Sequence, residues 1–177
     1  LNVTAGVLSL GVGFTNSGTV KGSGTLASAT VINSGHVAPA EAIGTFAVVG
    51  NFEQTALGFL DVELHGAGSH DLLTVTGSAF LDGTLNIVCF ANCSLEAGES
   101  FVILDASPNA LNGVFSKVIM SGFGSGEFQV IYDRANGDVR LNVLEFAAAV
   151  PEPSTYLLFL SGGLLIPFLR RRQRSKV

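Results

Sequence analysis

The sequence predicts an all-β fold on three observations. Short runs rich in Val, Ile, Leu, Phe and Thr alternate with Gly, Asn and Ser over residues 1–146, the pattern of strands separated by tight turns. Several of these runs have period two, so one face is apolar and the other polar. No stretch of the same region carries the 3.6-residue periodicity of an amphipathic helix.

Taken in order, the predicted strands cover 6–12, 25–32, 44–49, 57–64, 71–75, 84–89, 100–104, 113–119, 127–132 and 138–144. Within 57–64, Leu60, Val62 and Leu64 share one face while Asp61 and Glu63 take the other. Within 138–144, Val139, Leu141 and Val143 oppose Arg140 and Asn142. A Gly-Thr-apolar element recurs as Gly18-Thr19-Val20, Gly24-Thr25-Leu26, Gly44-Thr45-Phe46 and Gly83-Thr84-Leu85, with Gly35-His36-Val37 as a variant. Glycine makes the turn and the following residues open a strand. The intervals are irregular, as in solenoid corners carrying insertions of different length. Asn16-Ser17-Gly18, Asn33-Ser34-Gly35 and Asn136-Gly137 suit corner or hairpin positions that need a positive φ.

Composition narrows the function classes. The chain has 177 residues, of which 47% are hydrophobic and 13% charged, and its mean hydropathy is +0.50. So apolar and charge-poor a chain is not intrinsically disordered. Residues 1–150 hold four basic and thirteen acidic side chains, net −9, and residues 151–177 hold five basic and one acidic, net +4. The acidic body lacks the basic field that nucleic-acid binding requires.

The basic end belongs to a separate tail. Pro151, Glu152 and Pro153 close a spacer over 147–155 in which two prolines in three residues continue neither ladder nor helix. An apolar run follows: Tyr156, Leu157, Leu158, Phe159 and Leu160, then Ser161, Gly162 and Gly163, then Leu164, Leu165, Ile166, Pro167, Phe168 and Leu169. As a helix it rises about 21 Å against a hydrocarbon core of roughly 30 Å, a marginal and therefore transient span. Arg170, Arg171, Arg172 and Arg174 follow directly and keep the C-terminus cytoplasmic, with everything before Pro151 exported.

This order of motif, apolar segment and Arg cluster resembles the PEP-CTERM protein-sorting signal of Gram-negative bacteria, over about residues 150–174. The resemblance implies recognition by exosortase, a membrane-embedded, cysteine protease-like transpeptidase, with processing near Pro151-Glu152-Pro153. It further implies an inner-membrane intermediate, delivery to the cell envelope, surface or extracellular matrix, and a host that makes exopolysaccharide. An exported protein opens with Met, a basic region and an apolar region, which Leu1-Asn2-Val3-Thr4-Ala5-Gly6 lacks, so the chain is expected to extend N-terminally of Leu1.

Val31-Ile32-Asn33-Ser34-Gly35-His36-Val37-Ala38-Pro39, Ile43-Gly44-Thr45-Phe46-Ala47-Val48 and Gly50-Asn51-Phe52 form a rung-like unit. With the strands that follow, the stretch from about 16 to 144 resembles the β-helical passengers of autotransporters and adhesins. Ala40 stands where such rungs carry a glycine after the proline. The resemblance implies right-handed parallel β-helix rungs over 1–83. Phe-rich strands ending at Asn136-Gly137 suit a β-sandwich-like antiparallel cap over 84–146, and a single hydrophobic helix with its Arg-rich end is expected in 156–177.

Gly68-Ser69-His70-Asp71 holds the residue types of a hydrolase triad, but consecutive side chains in a turn do not converge, and Asp71 reads as a turn or corner acceptor. His65 and His70 lack the acid or cysteine partners of a tetrahedral metal site. Asp61 and Glu63 lie about 6.6 Å apart on one strand face, a spacing that permits a catalytic pair, but in a body of net −9 it reads as a solvated outer face. Gly122-Phe123-Gly124-Ser125-Gly126 has no following helix to hold a phosphate and reads as a loop.

These readings combine into an exported, non-enzymatic structural or adhesive surface protein without a cofactor, meeting exosortase first and an exopolysaccharide or surface protein afterwards. The alternative is a polysaccharide-active enzyme on the same scaffold, its acid and base drawn from Asp61, Glu63, Asp71 and Asp82; convergence of these carboxylates in one groove distinguishes it. Cys89 and Cys93 are the only cysteines, and in an oxidising compartment they are expected to bridge. Mass spectrometry of freshly secreted protein after thiol blocking should find neither cysteine alkylated; alkylation of both would reject the bridge.

Overall fold

The computed structural model describes residues 1–66, 68–90, 95–123 and 126–146, and within them every helix or strand is a strand. In chain order these are β1 (Val7–Ser9), β2 (Phe14–Asn16), β3 (Thr19–Gly22), β4 (Thr25–Asn33), β5 (His36–Pro39), β6 (Thr45–Gln54), β7 (Phe59–Gly66) and β8 (Ser69–His70). They continue as β9 (Leu72–Val75), β10 (Ala79–Leu81), β11 (Thr84–Cys89), β12 (Ser100–Asp105), β13 (Leu111–Gly113), β14 (Lys117–Ser121), β15 (Gly126–Asp133) and β16 (Asp138–Phe146). Thr19, Thr25, Thr45 and Thr84 each open a strand directly after glycine.

The chain repeatedly returns to pair in parallel with strands it has already laid down. One sheet runs β1-β4-β6-β9-β12-β16-β15, with β2 also on β4, β10 on β6 and β13 on β10. The other runs β3-β5-β7-β11-β14, with β8 on β7. The long strands β4 and β6 serve twice: residues 25–27 of β4 face β1 and residues 31–33 face β2. In-register columns of inward side chains result. Val20, Val37, Leu60 and Leu85 form one, and Phe14, Val31, Phe52, Ala79 and Leu111 another. Val20 to Leu85 in the first column are all at most 1% exposed, and each fully buried Leu or Val contributes about 1.5–3 kcal/mol.

Within 84–146 the pairing departs from the expected cap. β11, β13 and β14 pair in parallel with β7, β10 and β11, and β12 pairs in parallel with β9. Among the described residues, antiparallel pairing is confined to β12 with β16, β16 with β15, and the small β7–β8 hairpin. No change of pairing falls at residue 83. The inward side of β15 carries Phe128, Val130 and Tyr132: Phe123 meets Phe128 edge-on at 4.6 Å, and the Tyr132 hydroxyl accepts the Phe115 N–H at 3.1 Å. The run predicted over 113–119 instead spans the turn between β13 and β14. β3 and β5 start where the sequence places strand openings after Gly18 and Gly35, whereas β2, β8 and β10 have no counterpart among the predicted strands, because two or three residues carry too little alternation to be read.

At the corner after β2, β4 and β6 an amide column replaces the apolar one. Asn16 pairs in register with Asn33, and Asn33 with Gln54. Asn16 Nδ2 donates to Asn33 Oδ1 at 2.8 Å and Asn33 Nδ2 to Gln54 Oε1 at 3.3 Å. The oxygens of Asn16 and Asn33 accept the N–H of Gly18 and Gly35, closing the two-residue turns into β3 and β5. The turn from β6 into β7 is longer, and the longer Gln54 reaches the carbonyls of Asp82 and Thr84, both at 3.0 Å. Gly137 has the expected positive φ of 89°, but Gly35 is required for space instead: a Cβ there would lie 2.1 Å from Gly18 O. Ala40 takes the left-handed conformation usual for glycine, φ 73°.

The expected membrane helix over 156–169, the Pro-containing spacer, the sorting motif and the Arg cluster lie outside the described residues. Among those described, no helix is long and apolar enough to cross a membrane. Two substitutions test the corners by urea unfolding. Asn33→Ala strips the partners from several buried polar groups and should lower stability by about 2–4 kcal/mol. Ala40→Gly relieves the backbone and should raise it by about 0.5–1 kcal/mol.

Candidate functional site

The outward side of β7 gathers much of the body's titratable chemistry. Register places His36 of β5 opposite Phe59 of β7 and Asp61 opposite Asn86 of β11. The rings of His36 and Phe59 stack at 4.5 Å. His36 Nδ1 lies 2.7 Å from Asp61 Oδ2, while Asp61 Oδ1 accepts an amide hydrogen of Asn86 at 2.9 Å. Two residues on, Glu63 lies 3.8 Å from His65, whose ring stacks on Phe90 at 5.2 Å. Asp61 is thus the centre of a His36–Asp61–Asn86 row assembled from three strands. Sequence alone does not show this row, since its members are 25 residues apart and meet only through register.

The four carboxylates of the catalytic alternative stand in different settings. Asp61 and Glu63 face outward on β7. Asp82 sits at the turn from β10 into β11, where hydrogen bonds from the Ser116 hydroxyl and the Gly83 N–H hold it below the ordinary carboxylate range. Asp71 is buried, and its carboxylate accepts the N–H of Gly44 at 2.9 Å and of Glu63 at 3.0 Å, the corner acceptor that its sequence context suggests. Burial pushes its pKa up to about 7; the two N–H donors oppose the rise and the Glu63 charge adds to it.

Ser69, His70 and Asp71 do not form a triad. The Asp71 carboxylate is engaged by backbone, and His70 Nε2 lies 2.9 Å from Val102 O, so the imidazole is aligned by a carbonyl and not by its acid neighbour. Among the described residues no three of His, Cys, Asp and Glu come together as a metal site would require. Cys89 ends β11 and is disulfide-bonded. Cys93 lies outside the described residues, as do Gly124 and Ser125 of the glycine-rich loop.

A second ionic group lies at the far side of the first sheet. Arg140 on β16 grips Asp138 with two hydrogen bonds, Nε to Oδ1 at 2.9 Å and Nη2 to Oδ2 at 2.6 Å. Register sets Asp105 of β12 and Asp133 of β15 on either side of Asp138. One cation therefore serves a row of three carboxylates, of which Asp138 is buried. Equilibrium unfolding should separate the two ionic groups. His36→Ala or Asp61→Asn, in a partly exposed pair, should cost less than about 1 kcal/mol. Arg140→Ala leaves a buried carboxylate unpaired and should cost about 2–4 kcal/mol.

The remaining functional segment is the tail. No curated protein matches the chain. Residues 149–174 match the PEP-CTERM protein-sorting motif, which spans Pro151, Glu152 and Pro153, the apolar run and the Arg cluster. This signal is recognised by exosortase and implies an exported protein sorted to the cell envelope or surface.

Proposed function

We propose that the exported body is a non-enzymatic structural or adhesive surface protein, built as a right-handed parallel β-helix whose last circuit is closed by β15 and β16. The observation that carries this reading is the run of in-register parallel columns, which join successive circuits of chain into one continuous surface. The settings of Asp71, buried on two backbone N–H groups, and of Asp82, tied into a turn by Ser116 and Gly83, support it as well, since each of these carboxylates is already held by hydrogen bonds within the fold. The His36–Asp61 pair is the feature that favours the enzymatic alternative, because a carboxylate-aligned imidazole is the arrangement of a general base.

In this reading the tail enters the inner membrane transiently, exosortase acts near Pro151-Glu152-Pro153, and the body remains in the envelope or matrix in contact with an exopolysaccharide or a surface protein. The test expresses the full gene, with and without residues 151–177, in an exosortase-positive host and in one lacking this gene. The complete protein should reach the surface with its C-terminus shortened near Pro153 and restore attachment to the deletion strain, and the truncated form should do neither. An intact tail on mature surface protein would reject processing. Attachment unchanged by deletion of the gene would reject the structural or adhesive role.

A further inference from the structure

The sequence holds two Asn-Gly dipeptides, Asn112-Gly113 at the end of β13 and Asn136-Gly137 in the turn between β15 and β16. Such a pair is chemically labile: the backbone nitrogen of the second residue can attack the side-chain amide carbon of the first, and glycine has no Cβ to hinder the approach. The fold requires glycine at both places. A Cβ would lie 2.2 Å from Leu81 O at Gly113, and 2.5 Å from Ala106 O and Ser107 O at Gly137. Both also have positive φ, 73° and 89°. The two sites therefore share their chemistry and differ in how the fold holds them.

At Asn136 the reacting groups are tied down. Its side-chain amide donates to Asp133 Oδ2 at 2.7 Å and its own N–H to Asp133 Oδ1 at 3.1 Å. The attacking nitrogen belongs to Gly137, which is buried and donates to Asp133 O at 2.8 Å. Asn112 and Gly113 are both exposed, and the Asn112 side-chain amide donates to Ala110 O at 3.1 Å. β13 pairs with β10 and has no strand on its other side among the described residues. The bond from Ala79 N–H to Ala110 O at 3.0 Å sets the phase of this ladder, in which Asn112 turns its backbone carbonyl to β10. The Gly113 N–H, trans to that carbonyl across the peptide, points to the open edge. Gly113 O accepts from the exposed Arg134, Nη2 at 3.1 Å.

We propose that Asn112 is a site of spontaneous modification, deamidating through a cyclic imide, and that the fold protects Asn136 from the same reaction. The Gly113 nitrogen loses its proton to hydroxide and attacks Asn112 Cγ. A C–N bond forms, the Cγ–Nδ2 bond breaks, and the amide nitrogen leaves as ammonia after taking a proton from water. Water then opens the imide at one of its two carbonyls, giving aspartate or isoaspartate. Either product places a negative charge beside Phe80, the register neighbour of Asn112, with Glu53 already on the far side of that ring. Isoaspartate also runs the chain through the former side chain. This lengthens β13, which has only the three pairs from Leu111 to Gly113 with which to hold β10.

Peptide mapping by mass spectrometry tests the assignment, on the full chain kept at pH 8 in detergent micelles and on the same chain in urea. In the folded chain Asn112 should convert roughly tenfold or more faster than Asn136, where attack must also break the bonds to Asp133. In urea the two rates should converge. Fragmentation that distinguishes the isomers should find isoaspartate at 112, and Asn112→Gln should block conversion there. Asp133→Ala, which removes both side-chain bonds, should speed conversion at Asn136 and leave Asn112 as it was. The proposal is overturned if Asn112 converts in urea but not in the folded chain, or if Asn136 keeps pace with it when folded. The same preference in urea, aspartate without isoaspartate, or an unchanged Asn136 rate in Asp133→Ala would each overturn it too.

Discussion

The amide column of Asn16, Asn33 and Gln54 is the interaction on which the rest of the body depends. A chain that turns back on itself every few residues buries peptide groups at each corner, and a buried peptide group without a partner is costly. Here Asn16 and Asn33 each meet that demand twice, closing their own turns by accepting a glycine N–H and donating to the next amide along the column. Gln54 ends the column and donates to the carbonyls of Gly58, Asp82 and Thr84. The column thereby sets the register from which the neighbouring Val, Leu and Phe columns follow, since a slip of one residue would turn every inward side chain outward.

With register held at the corner, the loops between strands are free to vary. Partners in the Val20, Val37, Leu60, Leu85 and Val118 column stand 17, 23, 25 and 33 residues apart. One such insertion forms the β7–β8 hairpin. The last parallel strands leave an open core, and Val118 is 39% exposed there. The change to antiparallel pairing at β16 brings the chain back across that end, so that the Phe and Tyr side chains of β15 cover the flanks of β14.

Charge is handled by position more than by number. The body has four cations for thirteen anions, so most carboxylates cannot find an opposite charge. Asp82 and Asp133 rely on hydroxyl, amide and backbone donors in turns, where ionisation is favoured. Asp138 receives the Arg140 guanidinium because it is buried. Asp71 is buried without such help, and the physical consequence is a carboxyl group whose charge is disfavoured near neutrality.

Several properties were determined by sequence alone. The sorting tail is legible because its chemistry is contiguous: proline spacer, apolar run and arginines act in order along the chain and need no fold to be recognised. The all-β character and the inward faces of β7 and β16 are legible for the same reason, since alternation is a property of neighbouring residues. The parallel pairing through 84–121, the amide column and the His36–Asp61–Asn86 row were decided by tertiary structure. Their members lie 17 to 33 residues apart at uneven intervals, so no local pattern links them, and only the register of successive circuits brings them within bonding distance. The setting of Asp71 belongs with them: its identity as a turn residue is written in Ser69-His70-Asp71-Leu72, but its hydrogen-bond partners Gly44 and Glu63 are delivered by the fold from the turn before β6 and from β7.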